Sequence, residues 1–454
     1  MLNSCILCSI MELSTGSGDH AFLRHGPKGK SGENPALSRN RDRGAKSKVR
    51  MPLAPIKGCW EGKDRALIRK PGDLPDLLLP SLFCEDKGGD LMRTRFLRVV
   101  ALLLMATMLV LPASAAVKVT DDVGKTLTFT SVPKRVISLA PNVTEIMYAI
   151  GAQGSLIGRT PVDDYPPEVK NVPVMGDYTQ PNIELLLTKK PDLIIGTISF
   201  RKETYDIMEK YWNVFIADPQ SVSEVSSLIH RMGLIFQKEA QAKKLEEQIR
   251  LMPVALKSLG GQHPRVLLLL WHDPPMSVGK DTFINDVLNQ VGLVSVTGNY
   301  TQPWPTLGEE TLLKLNPDYI LYPEKSMGGE AASFNGRPWS DLKAVQQGKL
   351  VSFNDDWVFR AGPRLTQGMA ELYLKVVQQK PNAKVLFISN KAKIASLNGA
   401  SVDYSKFSLK DGRFLVDPAY AKTLGITSYK GNLRSSSLQA QWVDTEKMGV
   451  FLLP

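Results

Sequence analysis

Large aromatic side chains recur in the loops of this chain, while few of its residues have the spacing of a reaction centre. Tyr165 precedes Pro166-Pro167, Tyr178 follows Gly176-Asp177, and Trp271 ends an apolar run. Trp304 lies between Pro303 and Pro305, and Trp357 and Phe359 follow Asp355-Asp356. Aromatics in loops at strand ends suit a broad apolar ligand face rather than bond making. Any one of them serves equally well as lobe packing; together, at matching ends of two lobes, they favour a ligand cleft. His272 follows a strand end and could face the same cleft. Arg360 and Arg364 flank Ala361-Gly362-Pro363 and offer forked donors to an amide or carboxylate of a ligand. Arg364 opens the last helix of its lobe, against the helix field, and a solvated arginine is the plainer alternative.

Glu184 and Glu310 form a second kind of pair. Each sits in the first turn of a helix that precedes an x-Pro-Asp turn and a strand, where the helix dipole favours a carboxylate. Equivalent positions on two similar lobes add another role, as two anionic posts that orient docking on a basic partner. Chemistry of other kinds has little support. Gly279-Lys280 lacks the glycine spacing of a phosphate loop, and neither Gly-x-Ser-x-Gly nor His-Glu-x-x-His occurs. Of the histidines after residue 116, His230 falls within a helical run and His263 in a junction loop. No enzyme activity, metal site or cofactor is expected.

The elements that must position these residues repeat one plan. Residues 117–129 suggest two strands around the turn Asp122-Val123-Gly124-Lys125. Arg135-Val136-Ile137-Ser138-Leu139 is a compact apolar strand, and Asn142 or Thr144 could cap the helix that follows it. Lys190-Pro191-Asp192 leads into Leu193-Ile194-Ile195-Gly196, a buried parallel strand by its unbroken apolar run. Helix 205–211 and strand 214–217 follow. In the second half, Asn316-Pro317-Asp318 leads in the same way into Tyr319-Ile320-Leu321-Tyr322, and a closing helix runs over 365–379. Between the halves, 221–252 contains almost no breaker except Gly233, and its period predicts one strut helix of roughly thirty residues, about 45 Å long. The expected fold is α/β: two Rossmann-like lobes (117–219 and 260–381) joined by one long rigid helix (220–259). A small α+β module follows over 382–454, with short strands near 385–388, 393–395 and 413–416 and a helix near 419–424.

Residues 92–116 have the pattern of a secretory signal peptide, placed ninety residues late. Arg93, Arg95 and Arg98 flank an apolar stretch from Val99 to Leu111, and Ala113-Ser114-Ala115 offers a cleavage site. Residues 1–91 then constitute a non-native or disordered extension. The formal charge of +11 divides unevenly: 1–116 carries 18 basic and 11 acidic residues, whereas 117–454 carries 38 and 34. A weakly basic body calls for no nucleic-acid partner. All four cysteines, Cys5, Cys8, Cys59 and Cys84, precede Met92, so the exported part has neither a disulfide nor a lipid-bearing cysteine. The expected location is the periplasm or the outer face of the cytoplasmic membrane, and the expected state a monomer.

Arg135-Val136-Ile137-Ser138-Leu139-Ala140-Pro141-Asn142-Val143-Thr144-Glu145 opens an ordered series of motifs. It continues through Asp164-Tyr165-Pro166-Pro167, Asn182-Ile183-Glu184, Lys190-Pro191-Asp192, Ser277-Val278-Gly279-Lys280, Pro303-Trp304-Pro305, Asp356-Trp357 and Gly362-Pro363-Arg364. The series resembles the periplasmic binding proteins of ABC importers for metal chelates, most closely the cobalamin-binding branch, over about 250 residues. The resemblance implies a ligand cleft lined by Tyr178, Trp271, Trp304, Trp357 and Arg364. It also implies that Glu184 and Glu310 engage arginines of the importer's transmembrane subunits, and that the cargo is cobalamin or a related corrinoid. Val162 and Thr197 stand where that branch carries further aromatics, so ferric siderophore or haem remains an alternative cargo. A non-transport role in ligand sensing or surface interaction is another. The tail, through Val385-Leu386-Phe387-Ile388, Gly412-Arg413-Phe414-Leu415-Val416 and Thr423-Leu424-Gly425, resembles the N-terminal stalk domain of copper amine oxidases. That likeness implies a spacer or contact module without catalytic or copper-ligand residues.

Overall fold

Strands β1 (Val117–Thr120) and β2 (Thr126–Phe129) pair antiparallel, with Thr120 opposite Thr126 across the expected turn. Asp121 closes that turn by accepting from the backbone N–H groups of Val123 and Lys125. The computed structural model describes residues 98–101, 116–326, 334–410, 413–425, 439–443 and 448–453. The extension 1–91, the four cysteines and, apart from 98–101 and Ala116, the signal-like segment lie outside the described residues.

The first lobe alternates β3 (Val136–Ser138), α1 (Pro141–Ala149), β4 (Leu156–Gly158), α2 (Ile183–Lys189), β5 (Leu193–Gly196), α3 (Lys202–Tyr211) and β6 (Val214–Ile216). Its strands form one parallel sheet in the order β4-β3-β5-β6. Two helices then follow, α4 (Val222–Phe236) and α5 (Glu239–Ser258). The second lobe comprises β7 (Arg265–Leu268), α6 (Phe283–Gln290), β8 (Val294–Ser295), α7 (Glu309–Leu315), β9 (Tyr319–Pro323), α8 (Lys343–Gln346), β10 (Leu350–Phe353), α9 (Asp355–Val358) and α10 (Leu365–Leu372). Its sheet has the order β8-β7-β9-β10, again all parallel. The two sheets therefore share one strand order.

The x-Pro-Asp turns carry that shared plan down to single bonds. Lys190 and Asn316 end α2 and α7 in the left-handed conformation. Asp192 then accepts from the N–H groups of Lys134 and Arg135, and Asp318 accepts from the N–H of Arg265. The Arg135 and Arg265 guanidiniums return to the helix ends, donating to the carbonyls of Lys190 and Leu315 at 3.1 and 3.0 Å. Each turn thus fastens the third strand of a lobe to the start of its first. The strands are apolar on both sides because each side is covered. Val136, Leu193 and Ile195 face the main core, whereas Ile137 and Ile194 face the layer formed by α2 and α3. Val266, Leu268 and Leu321 join the same main core, and Leu267, Leu269 and Ile320 meet a separate cluster with Leu312 and Trp339.

The single strut helix does not form. The run breaks after Phe236, where Gln237 takes φ +52°, and α4 and α5 fold against each other as a hairpin. Gly233 makes this close approach possible, since a Cβ there would lie 2.5 Å from Ala242 Cβ. Gly233, the breaker noted within 221–252, is therefore the point where the two helices cross. The cap expectation also fails: Pro141 opens α1 after Ala140, and no side chain caps it. Asn142 instead reaches the second lobe, as described below. The closing helix is α-helical through Leu372 and continues as a π turn over Tyr373–Val377.

The last residues build β11 (Lys384–Ser389), β12 (Ile394–Leu397), β13 (Ala400–Val402), β14 (Phe407–Lys410), β15 (Arg413–Val416), α11 (Pro418–Thr423), β16 (Gln439–Val443) and β17 (Met448–Leu453). An antiparallel sheet of order β13-β12-β11-β17-β16 results, with β14-β15 as a separate hairpin. Alternation along β11 sends Val385 and Phe387 into the main core and Leu386 and Ile388 into a cluster with Phe407 and Phe414. The module is thus fused to the lobes through one face of its sheet. Among the described residues no helix is long and apolar enough to cross a membrane.

Replacing Gly233 with Val is expected to force α4 and α5 apart. The overpacking should cost about 1–3 kcal/mol, measured as a lower urea midpoint.

Candidate functional site: the interlobe junction

Strand β3 delivers the chain into α1 with its first turn buried, and Glu145 lies on that helix at 3% exposure. A carboxylate so placed needs cationic partners. They come from the other lobe. The Arg364 guanidinium donates through Nε to Glu145 Oε2 at 2.9 Å and through Nη2 to Oε1 at 2.6 Å, a forked pair. Arg360 donates to Glu145 Oε1 at 3.0 Å, to Asp164 Oδ1 at 2.8 Å and to the Val162 carbonyl at 3.4 Å. Its Nη2, which also reaches the Val162 carbonyl, pairs with Asp356 Oδ1 at 2.9 Å, and Lys325 Nζ meets the second oxygen of Asp356 at 2.5 Å. Three anions (Glu145, Asp164, Asp356) thus balance three cations (Arg360, Arg364, Lys325) across the lobe boundary. Asn142 adds a neutral contact to the Ala361 carbonyl at 3.4 Å.

The charges adjust to this setting. Burial opposes ionisation of both Arg360 and Asp164, but the opposite charges around each outweigh it. Glu145, Asp356 and Asp164 hold the arginine charged, and Arg360 keeps the Asp164 carboxyl below the usual range. Asp163 behaves oppositely. Complete burial pushes its carboxyl up to about 6, although Thr160 donates to Oδ2 through both N–H and hydroxyl at 2.6 Å.

The proposed ligand residues divide. The Tyr165 ring is exposed and lies 4.0 Å from the Arg364 guanidinium carbon, a cation–π stack at the junction. The segments that carry Trp271 and Trp304 meet through Met276: Trp271 bridges Met276, and Met276 bridges Thr306, beside Pro305. Both indoles are half-buried against the main core. Trp357 is half-buried in α9. Tyr178 is buried and does not stand on an open face. Two expectations need correction. Phe359, at 1% exposure, packs edge-on against Phe353 inside the core. His272 stacks on Trp339 at 5.0 Å and meets Phe334 edge-on, so its ring belongs to the second lobe's own aromatic cluster. Arg364, expected to line the ligand cleft, is at 9% exposure and has Glu145 of this chain as its carboxylate partner. Glu145 was the residue missed. Its signal was present as one acid, next to Thr144, in the mainly apolar run from Val143 to Ile150.

Glu184 and Glu310 stand exposed in the first turns of α2 and α7. They differ in surroundings: Glu184 lies beside exposed Leu185 and Leu187, whereas Glu310, 82% exposed, pairs with Lys314 at 2.7 Å.

A family model described as periplasmic binding protein matches residues 136–356. A Bacillus subtilis protein named as an uncharacterized ABC transporter substrate-binding lipoprotein, YvrC, is 31% identical over 271 residues, spanning 56% of this chain and 84% of that protein. The chain belongs to the periplasmic binding protein family. A vitamin B12-binding protein of Vibrio cholerae is 25% identical over 257 residues, covering 54% of this chain and 91% of that protein. A periplasmic binding protein from Veillonella parvula superposes with a TM-score of 0.51 at 19% identity, covering 59% of this chain and 99% of that one, a likeness of fold. The family match ends at Asp356, so Arg360, Arg364 and the whole C-terminal module of this periplasmic binding protein lie beyond it. One expectation is overturned here. Lipid attachment was excluded for want of a cysteine near Ala113–Ala115, yet the Bacillus subtilis relative is named as a lipoprotein. The exclusion rested on a cleavage site inferred from small residues that lie outside the described residues, and it is withdrawn.

Replacing Glu145 with Gln should leave two buried guanidiniums short of charge and lower stability by about 3–5 kcal/mol, seen in urea unfolding. Asp163 predicts a pH dependence of definite sign. Its folded carboxyl titrates near 6 and its ordinary value is 3.8, so the folded state holds the extra proton between them. Stability should fall as pH rises through that window, by on the order of 3 kcal/mol. Asp163→Asn keeps the acceptor for Thr160 and should abolish this component, measured as the difference between the two proteins' urea stabilities from pH 4 to pH 7.

Proposed function

We propose that this protein is the substrate-binding component of an ABC importer, holding cobalamin or a related corrinoid between its lobes and delivering it to the membrane permease. The observation that carries the transport reading is the equivalent placement of Glu184 and Glu310, exposed in the first turns of matching helices on two lobes of one strand order. Two carboxylates on a shared scaffold would orient the molecule on arginines of the transmembrane subunits. The vitamin B12-binding relatives support a corrinoid. So does the charge balance at the junction: Arg360 and Arg364, which an anionic chelate would recruit, are already matched by Glu145, Asp164 and Asp356. That favours a bulky cargo of low net charge, held by Tyr165, Trp271, Trp304 and Trp357, with buried Tyr178 no longer among the holding residues. The protein works by capture without chemistry, as a monomer and without a cofactor of its own. Ferric siderophore or haem is the second reading, supported by Val162 and Thr197 in place of ring-bearing residues.

Titrating the full chain calorimetrically and by visible absorption with cobalamin, cobinamide, haem and a ferric siderophore should show tight binding of the corrinoids. Tight binding of another chelate with neither corrinoid bound overturns the cargo. Reversing both charges, Glu184→Lys with Glu310→Lys, should reduce uptake by about tenfold or more while ligand affinity stays within about twofold. Undiminished uptake would remove the docking role and leave ligand sensing as the better account.

A further inference from the structure

The C-terminal module touches α5 and the first turn of α10, the helix that Arg364 precedes. Leu397 pairs with Ala400 across a two-residue turn, Asn398-Gly399, and both turn residues have positive φ, at +49° and +80°. This is the tight hairpin geometry that Asn-Gly favours. Asn398 is tied to β11 in both directions, its N–H donating to the Val385 carbonyl and its Oδ1 accepting from the Val385 N–H. The turn is therefore stiff, and its Gly399 carbonyl points into the lobes. There it accepts from Gln248 Nε2 of α5 at 2.6 Å and from Thr366 Oγ1 of α10 at 2.7 Å. Gln248 and Thr366 are both buried, and a Cβ on Gly399 would collide with the Thr366 carbonyl. Thr366 lies two residues after Arg364, whose own carbonyl accepts from Gln367 and Gly368 in the same helical turn.

We infer that the module is a brace for the lobe junction: Gln248, Thr366 and Gly399 are positioning residues that fix the first turn of α10 and, through it, the Arg364 fork on Glu145. A free spacer would have no reason to place a stiff turn against that helix start. The inference concerns the lobe geometry and stands whichever cargo is bound.

Hydrogen exchange of the full chain, without ligand, tests it. Gln248→Ala and Thr366→Val should each accelerate exchange of amides 141–149 in the first lobe by about fivefold, whereas Thr366→Ser, which keeps the hydroxyl, should match the parent within about twofold. Arg364→Gln should produce a similar acceleration, and adding Gln248→Ala to it should produce no more, because both act through one contact. Acceleration confined to 365–372 and 384–402, or full additivity with Arg364→Gln, overturns the proposal. Should Gln248→Ala fail to fold, the Val and Ser pair at Thr366 decides.

Discussion

A buried carboxylate shared by two arginines from another lobe is the constraint on which the rest of this structure depends. Glu145 is bound by both Arg360 and Arg364, and Arg360 is bound in turn by Asp164 and Asp356. A cluster of this kind contributes little net stability over an apolar contact of the same size, because desolvation offsets the attraction. Its effect lies in geometry. Apolar surfaces slide with small penalties, whereas a forked arginine separated from its carboxylate leaves two unpaired buried charges. The lobes of this protein therefore have a preferred mutual setting imposed at one point, and Tyr165, stacked on Arg364, carries that setting to the exposed edge of the junction.

Around that point the molecule is built twice. Both sheets run in the same strand order, and in both an aspartate after proline fastens the third strand to the first while an arginine from the first strand returns to the helix end. Duplication places Glu184 and Glu310 at corresponding sites without further specification. The surroundings have diverged, apolar beside Glu184 and ion-paired beside Glu310, so the two posts are alike in position and unlike in chemistry.

The mechanical link between the lobes is also more compound than a rod. Helices α4 and α5 close on each other at Gly233, and α5 offers Gln248 to the module while α4 supplies Val222, whose N–H donates to Asp286 of the second lobe at 2.7 Å. A folded hairpin with a sheet packed on α5 resists bending in more than one direction, which a lone helix does not.

Strand and helix content, the doubled plan and the module's separate texture were legible in the sequence because each rests on local periodicity: unbroken apolar runs for parallel strands, alternation for the antiparallel sheet. The exposed glutamates were legible for the same reason, since a helix start is a local signal. The hairpin was hidden because residues 221–252 keep helical period on both sides of Gln237, and only packing against Ala242 shows what Gly233 is for. Phe359 and His272 looked like cleft residues because loop position does not reveal which way a ring turns, and tertiary packing turned them inward against Phe353 and Trp339. Sequence alone determined the kinds of elements and the residues able to bear charge. Only the tertiary structure decided that Arg364 belongs to Glu145, since that pairing joins residues 219 apart and depends on how two lobes and a module are stacked, which no local pattern encodes.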